Sequence, residues 1–220
     1  HQVDEFDSLY RSGKRTIERL DKFGILNPFS IIVHAVHIDA KEMQLIKEKN
    51  SWVSHQPRSN MNNAVGLPEV EAMLHLGIPV CLGNDGFSNT MWDEWKAAYF
   101  AHKLWKRDPR IMGADKIANM AWSNSAKLVS KLSSFQVGII QEGTKADLIF
   151  VNYKPVTPLT AENLPWHIIF GFQNSMVTTT IVDGKILMRD KEILILDEER
   201  IIHEAHAYAP AVWERYAQQY

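Results

Sequence analysis

The chain has 220 residues, with 24 Lys and Arg against 26 Asp and Glu, a formal charge of −2 and one cysteine. This balanced charge, without a basic stripe, argues against nucleic acid or an anionic membrane as a partner. The single cysteine, Cys81, excludes an intrachain disulfide, and no apolar run approaches the ~18 residues of a membrane-spanning helix. We therefore expect a cytoplasmic protein, whose length falls short of a complete (β/α)8 barrel of ~250 residues.

Helices and short apolar strands alternate along the first 135 residues. The predicted strands are Ile31–Val33, Trp52–Ser54 and Ile78–Leu82. The predicted helices run from Asp7 to Gly24, from Asp39 to about Asn50, from Pro68 to Gly77, from Asn89 or Thr90 to Lys106, and from Asp115 to Leu132, with a polar loop up to Asn63. Asp39 and Glu42 have the spacing of a capping box. Alternation of this kind is typical of βαβ units with a parallel sheet.

After residue 135 glycines and prolines separate short β-rich runs. Short β-rich runs are predicted at Asp147–Val151, Met176–Val182 and Ile186–Met188, and Asp183-Gly184 is a two-residue hairpin signal. A helix is predicted from Asp197 to Ala217. We therefore expect two domains, residues 1–135 of α/β type and residues 136–220 of mainly β type.

Three polar residues stand where the predicted parallel strands end: His34, His55 and Asp85. Each alone is more often structural than functional, but sites assemble at the carboxyl ends of parallel strands, so the three together favour a site. Asp85 lies between glycines and suits a metal ligand that also accepts a proton from water. His34 suits the polarisation or deprotonation of that water. The other histidines in this region are expected to be structural, rim-lining or solvated: His37, His75 and His102.

Three ordered motifs resemble the amidohydrolase superfamily in its aminohydrolase and chlorohydrolase branch. They are Val33 to Ile38, Ser54 to Gly66 and Leu82 to Gly86. The second motif, together with Trp92 to Ala98, is most similar to the aminohydrolases associated with selenium metabolism. Gly143 to Ile149 resembles the return from the barrel to the composite β domain. Three motifs in the family's order are much more specific than any one of them.

The resemblance implies the C-terminal part of a (β/α)8 barrel, with about three βα units, followed by a small β-sandwich-type segment and a C-terminal helix. It implies that His34 acts on the metal-activated water or the substrate, and that Asp85 is a metal ligand and proton shuttle. It also implies that His55 and the segment after it border the substrate pocket. The implied reaction is hydrolysis of a C–N bond in a heterocycle or amidine, with one divalent metal, most simply zinc, and a small heterocyclic substrate.

The sequence departs from the family at its principal metal ligands. No His-x-His pair occurs. In the family a further ligand histidine is usually followed by Glu three residues later, whereas here Glu5 lies four residues after His1. His1 could equally be a remnant of an expression tag. A catalytic zinc takes three protein ligands, which leads us to expect that these 220 residues are inactive alone. Two hypotheses stay open. The chain is the C-terminal half of a metal-dependent aminohydrolase that requires association with its N-terminal part, or a non-catalytic remnant whose open barrel edge is covered by homo-oligomerisation.

Overall fold

Three parallel strands lie side by side in the computed structural model, which describes residues 1–219. They are β1 (Ile31–Val33), β2 (Trp52–His55) and β3 (Val80–Leu82), in the order β1-β2-β3. The register places Val33 opposite Ser54, and His55 opposite Leu82. The three predicted strands and their parallel pairing are confirmed, and the strands within this part of the chain do not close into a barrel.

Nine α-helices occur among the described residues before the long helix that begins at Glu198. They are α1 (Gln2–Ser12), α2 (Thr16–Lys22), α3 (Ala40–Glu48), α4 (Pro57–Asn62), α5 (Val70–His75), α6 (Met91–Lys106), α7 (Ala114–Ala118), α8 (Ser125–Leu132) and α9 (Leu164–Gly171). A π-helical stretch, Asn119–Asn124, joins α7 to α8. The predicted capping box of α3 is confirmed, because the Glu42 amide donates to Asp39 and the Asp39 amide donates to Glu42.

Two sequence predictions about helices are wrong. The single helix from Asp7 to Gly24 is two helices, because the chain turns at Gly13, which has a left-handed φ of 65°. The polar loop up to Asn63 contains α4, which begins at Pro57. A proline at the first helical position is favourable, since its missing amide hydrogen would have no partner there.

The chain divides into two units, His1–Thr144 with Lys154–Asn174, and Lys145–Tyr153 with Ser175–Tyr220. The second unit has one antiparallel sheet, β4 (Leu148–Val151), β5 (Val177–Val182), β6 (Lys185–Arg189) and β7 (Glu192–Ile193), followed by α10 (Glu198–Ala217). Asp183 and Gly184 both have positive φ, which confirms the predicted hairpin turn. The β-sandwich-type segment expected from the resemblance is a single sheet among the described residues. No helix within residues 1–219 is both long and apolar enough to cross a membrane.

The first unit has its core around β2, the central strand. Val53 and Val80 are fully buried, as are Ile46 of α3 and Val70 of α5. This burial explains why the strands read as short β-branched runs, since a parallel sheet is covered on both faces. Strand β1 differs, because Ile31 and Val33 are 40% and 51% exposed.

The end of β3 packs closely against the residue that follows β2. Gln56 is 4% exposed, and its Nε2 donates to the Ser54 hydroxyl over 2.7 Å. A Cβ on Gly83 would lie 2.8 Å from that Nε2 and 3.0 Å from the Ser54 oxygen. Gly83 therefore provides the space for the Gln56 amide, which in turn accepts a hydrogen bond from the His34 backbone over 3.1 Å.

Replacement of Gly83 by alanine should displace Gln56. We expect Gly83→Ala to lower the free energy of unfolding by ~1–3 kcal/mol, as overpacked substitutions do. Gly86→Ala is the matched control, because a Cβ there meets no atom within 4 Å and the φ of Gly86 is not positive. Denaturant unfolding of both variants checks this, and equal stabilities would contradict the packing role.

A buried pair of histidines joins β2 to α6. His55 and His102 are 0% and 1% exposed, and their Nε2 atoms lie 3.0 Å apart, so one ring donates to the other. Burial lowers the pKa of His102 to about 4. Burial, followed by the charges of His102 and His34, lowers the pKa of His55 well below its ordinary value.

These lowered pKa values predict that acid destabilises the fold. Between pH ~6.5 and ~4 the unfolded chain binds protons that the folded protein excludes, so the stability falls as the pH falls, by at most ~1.4 kcal/mol per pH unit for each proton. Denaturant unfolding across this range measures the slope. His102→Gln should make the slope shallower. Identical slopes in His102→Gln and the parent chain would refute the assignment.

Candidate active site

The carboxyl ends of the three parallel strands bring two of the predicted site residues together. His34 follows β1 directly, and Asp85 comes three residues after β3. The His34 Nε2 lies 3.4 Å from Asp85 Oδ2, and both side chains are partly exposed. The third residue, His55, is fully buried against His102 and does not line the cavity described below.

The backbone holds His34 and Asp85 in an uncommon conformation. His34 and Ala35 have φ values of 66° and 52°, and Asp85 has a φ of 51°. A left-handed conformation is costly for residues other than glycine, and it persists only where the surrounding structure imposes it. At His34 the constraint is visible, because its amide donates to the Ser54 carbonyl over 2.9 Å and to Gln56 Oε1 over 3.1 Å.

A cavity of about 690 Å³ lies beside the pair. His34 and Asp85 line it together with Asn60, Asn63 and the whole of β1. Its size falls within the range of ~300–1,000 Å³ that is usual for small-molecule sites, and it combines an apolar wall with a few polar groups. His37, for which the sequence left a structural or a rim-lining role open, also lines this cavity.

Helix α4 supplies contacts to the pair that the sequence analysis did not identify. The Ser59 hydroxyl donates to Asp85 Oδ2 over 2.7 Å. The His34 Nδ1 lies 2.7 Å from Asn60 Oδ1. Ser59 and Asn60 are 3% and 1% exposed. The one sequence signal for this helix is Pro57 at its first position.

Two buried carboxylates fix the segments that carry the site. Glu94 of α6 is fully buried, and its Oε1 accepts from Arg58 Nε over 2.6 Å. Glu42 of α3 is likewise buried, and its Oε2 accepts from Arg15 Nε over 2.7 Å. Arg15 also donates to the His37 carbonyl. The pair on Glu94 anchors α4, and the pair on Glu42 anchors the segment after β1.

The donors fit part of a zinc site. Two ligands on a tetrahedral zinc, each at 2.0–2.1 Å, are about 3.3–3.4 Å apart, which matches the separation of His34 Nε2 and Asp85 Oδ2. A catalytic zinc takes three protein ligands, however. No group of three or more His, Cys, Asp or Glu side chains suited to a metal ion occurs within residues 1–219. Among the described residues, the separation of His34 Nε2 and Asp85 Oδ2 thus fits two of the ligand positions of such a site, and a third is not found.

The chain is similar in sequence to deaminases. It is 36% identical over 203 residues to a 5'-deoxyadenosine deaminase of Methanosarcina mazei, a match that covers 90% of this chain and 46% of that protein. It is 35% identical over 212 residues to a 5-methylthioadenosine/S-adenosylhomocysteine deaminase of Dictyoglomus thermophilum, covering 94% and 49%. The chain thus spans about half the length of these curated relatives.

Solved structures share its fold. A zinc-bound adenosine deaminase of Xanthomonas campestris superimposes with a TM-score of 0.84 and 23% identity, covering 96% of this chain and 49% of that chain. An atrazine chlorohydrolase of Arthrobacter aurescens in complex with zinc gives a TM-score of 0.80 and 19% identity, covering 93% and 46%. The sequence profile of the amidohydrolase family matches residues 10–187. The chain therefore belongs to the amidohydrolase family.

Proposed function

We propose that the chain carries part of the active site of a hydrolytic deaminase that releases ammonia from the amino group of an adenosine-type nucleoside. The names of the relatives in Methanosarcina and Dictyoglomus support this reaction and this substrate class. The observation that carries the proposal is the approach of His34 Nε2 to Asp85 Oδ2, 3.4 Å apart beside a cavity of about 690 Å³. A nucleoside is a suitable occupant for a cavity of that size.

His34 and Asp85 are the residues that would hold a divalent ion, for which zinc is the best candidate because imidazole and carboxylate are among its usual ligands. Such an ion lowers the pKa of a water molecule that it binds, and so supplies a nucleophile near neutral pH. Asp85 accepts a proton from the attacking water and returns it to the departing amine, so that water is consumed and ammonia is released. His34 Nε2, 3.4 Å from Asp85 Oδ2, would bind the ion or accept a proton from the attacking water.

The predicted substrate-binding role of His55 stays a prediction. Its ring is buried against His102, whereas Asn60 and Asn63, from the segment after it, line the cavity. This arrangement supports a substrate wall that is built by that segment. The assignment of residues 1–135 to a barrel and of 136–220 to a β domain also stays a prediction, as does homo-oligomerisation.

A non-catalytic interaction module is the second candidate function. One observation in its favour is that no group of three or more metal donors occurs among the described residues. The other is helix α10, in which no residue is buried although it carries Ile201, Tyr208 and Trp213. A surface of this kind is usually covered by a partner. The two candidates differ in what they require of the site, since an interaction module needs neither zinc nor turnover.

Metal content and ammonia release separate the two functions. We expect the 220-residue chain to bind little zinc and to be inactive, because it offers two donors. We expect a longer protein that carries upstream sequence of the family to bind zinc stoichiometrically and to release ammonia from 5'-deoxyadenosine. Elemental analysis and an ammonia assay measure both quantities. A longer protein without zinc or turnover would favour the interaction module, and an active isolated chain would refute the need for further ligands.

Substitution of the pair tests its proposed roles. In the longer protein, Asp85→Asn should abolish turnover and retain the fold, because asparagine keeps the shape and still accepts from Ser59 but lacks charge and basicity. His34→Asn should lower kcat by ~10²–10⁴-fold if the residue acts in acid–base chemistry. His75→Asn, at an exposed position, is the control and should be fully active. Steady-state kinetics and circular dichroism provide the check, and near-normal turnover of Asp85→Asn would exclude its assigned role.

A further inference from the structure

Two adjacent residues of α4 each contact one member of the pair. Ser59 donates to Asp85 Oδ2, and Asn60 Oδ1 lies against His34 Nδ1, both over 2.7 Å. We propose that Ser59 and Asn60 are positioning residues, with Asn60 fixing the tautomer of His34 and Ser59 fixing the orientation of the Asp85 carboxylate. The relevance of this to catalysis rests on the deaminase function proposed above.

The contact to Asn60 selects which ring nitrogen of His34 carries hydrogen. An amide oxygen accepts but does not donate, so His34 Nδ1 is the donor. The other nitrogen, Nε2, then has a free lone pair on the side of Asp85. Its separation of 3.4 Å from Asp85 Oδ2 is longer than the 2.7–2.9 Å of a charge-assisted hydrogen bond, which agrees with a nitrogen that does not donate. Asn60 therefore leaves Nε2 available for a metal ion or a proton.

The direction of the Ser59 hydrogen bond is fixed in the same way. Asn63 Nδ2 donates to the Ser59 oxygen over 3.3 Å. An amide nitrogen only donates and an ionised carboxylate only accepts, so the Ser59 hydrogen points to Asp85. Asp85 Oδ2 thus accepts a hydrogen bond from Ser59 of α4 and also faces His34 Nε2. The carboxylate cannot rotate without losing the hydrogen bond to Ser59.

The position of α4 explains how neighbours in sequence reach two different strands. The helix follows β2, the central strand, with β1 on one side and β3 on the other. Successive residues of a helix point about 100° apart, so Asn60 reaches the end of β1 and Ser59 reaches the segment after β3. Arg58 holds the helix in this place through its bonds to the buried Glu94. Two adjacent residues of this short helix, Ser59 and Asn60, thus contact Asp85 and His34 respectively.

Histidine ¹⁵N NMR of the 220-residue chain tests the role of Asn60 without requiring activity. The His34 signals are assigned by their loss in His34→Gln, at a pH about two units above the ordinary histidine pKa of ~6.5. We expect Nδ1 to be protonated and Nε2 unprotonated in the parent chain. Asn60→Ala should yield a mixture of tautomers or the reverse one. Asn60→Asp, which keeps an acceptor, should retain the parent tautomer, and Asn62→Ala is the control on the exposed side of α4.

A proton on Nε2 in the parent chain would overturn the role of Asn60, since it would mean that the amide is reversed and donates to Nδ1. An unchanged tautomer in Asn60→Ala would also overturn it. If Asn60→Ala fails to fold, the parent chain and Asn60→Asp still decide the question. Because the tautomer is measured without substrate, the expected tautomer in this chain together with a longer protein that releases no ammonia would contradict the deaminase function and leave this inference standing.

The role of Ser59 is tested by zinc affinity and kinetics in the longer protein. Loss of an outer hydrogen-bond partner typically lowers metal affinity or activity by ~10–100-fold. We expect Ser59→Ala to lower zinc affinity, measured by chelator competition, or kcat by that factor, with KM little changed. Asn62→Ala again serves as the control. A Ser59→Ala variant with parental zinc affinity and parental kcat would overturn the role of Ser59.

Discussion

The site depends on the contact between Arg58 and Glu94. Glu94 is a fully buried carboxylate, and a buried charge is tolerated only when it is paired and fully hydrogen-bonded. Its oxygens accept from the Arg58 side chain over 2.6 Å and from the Arg58 amide over 3.2 Å. The same guanidinium donates to the Ser88 carbonyl over 2.7 Å. One ion pair therefore connects α4, α6 and the segment of Asp85, which together determine the geometry on the Asp85 side of the site.

A second buried carboxylate acts in the same way on the His34 side. Glu42 accepts from Arg15, from the Ile17 amide over 2.9 Å and from the Asp39 amide over 3.0 Å. The left-handed conformations of His34 and Asp85 thus occur in segments whose ends are bonded to buried charges. Strained backbone is maintained only by such surroundings, because each residue of this kind costs ~1–3 kcal/mol. The ion pairs are consequently better understood as constraints on the site than as sources of net stability.

The sequence predicted the strands and the placement of His34 and Asp85, because buried β-branched runs and strand-end polar residues follow directly from the physics of parallel sheets. Helix α4 was missed because Ser59 and Asn60 are buried through polar contacts and leave no apolar periodicity to recognise. For His55, position at a strand end was visible in the sequence. The sequence did not show that its ring points to α6, because the partner there, His102, lies 47 residues further along the chain.

Strand β1 lines the cavity and leads directly to His34. β1 lines the cavity throughout, yet Ile31 and Val33 are 40% and 51% exposed, whereas strands of parallel sheets are normally covered on both faces. The chain spans about half the length of its curated relatives, and His34 and Asp85 lie 3.4 Å apart at the end of this same sheet. Any segment that covers β1 also narrows the cavity beside His34, because β1 and His34 line the same cavity. A segment that covered β1 would thus both complete the sheet and stand beside His34 and Asp85.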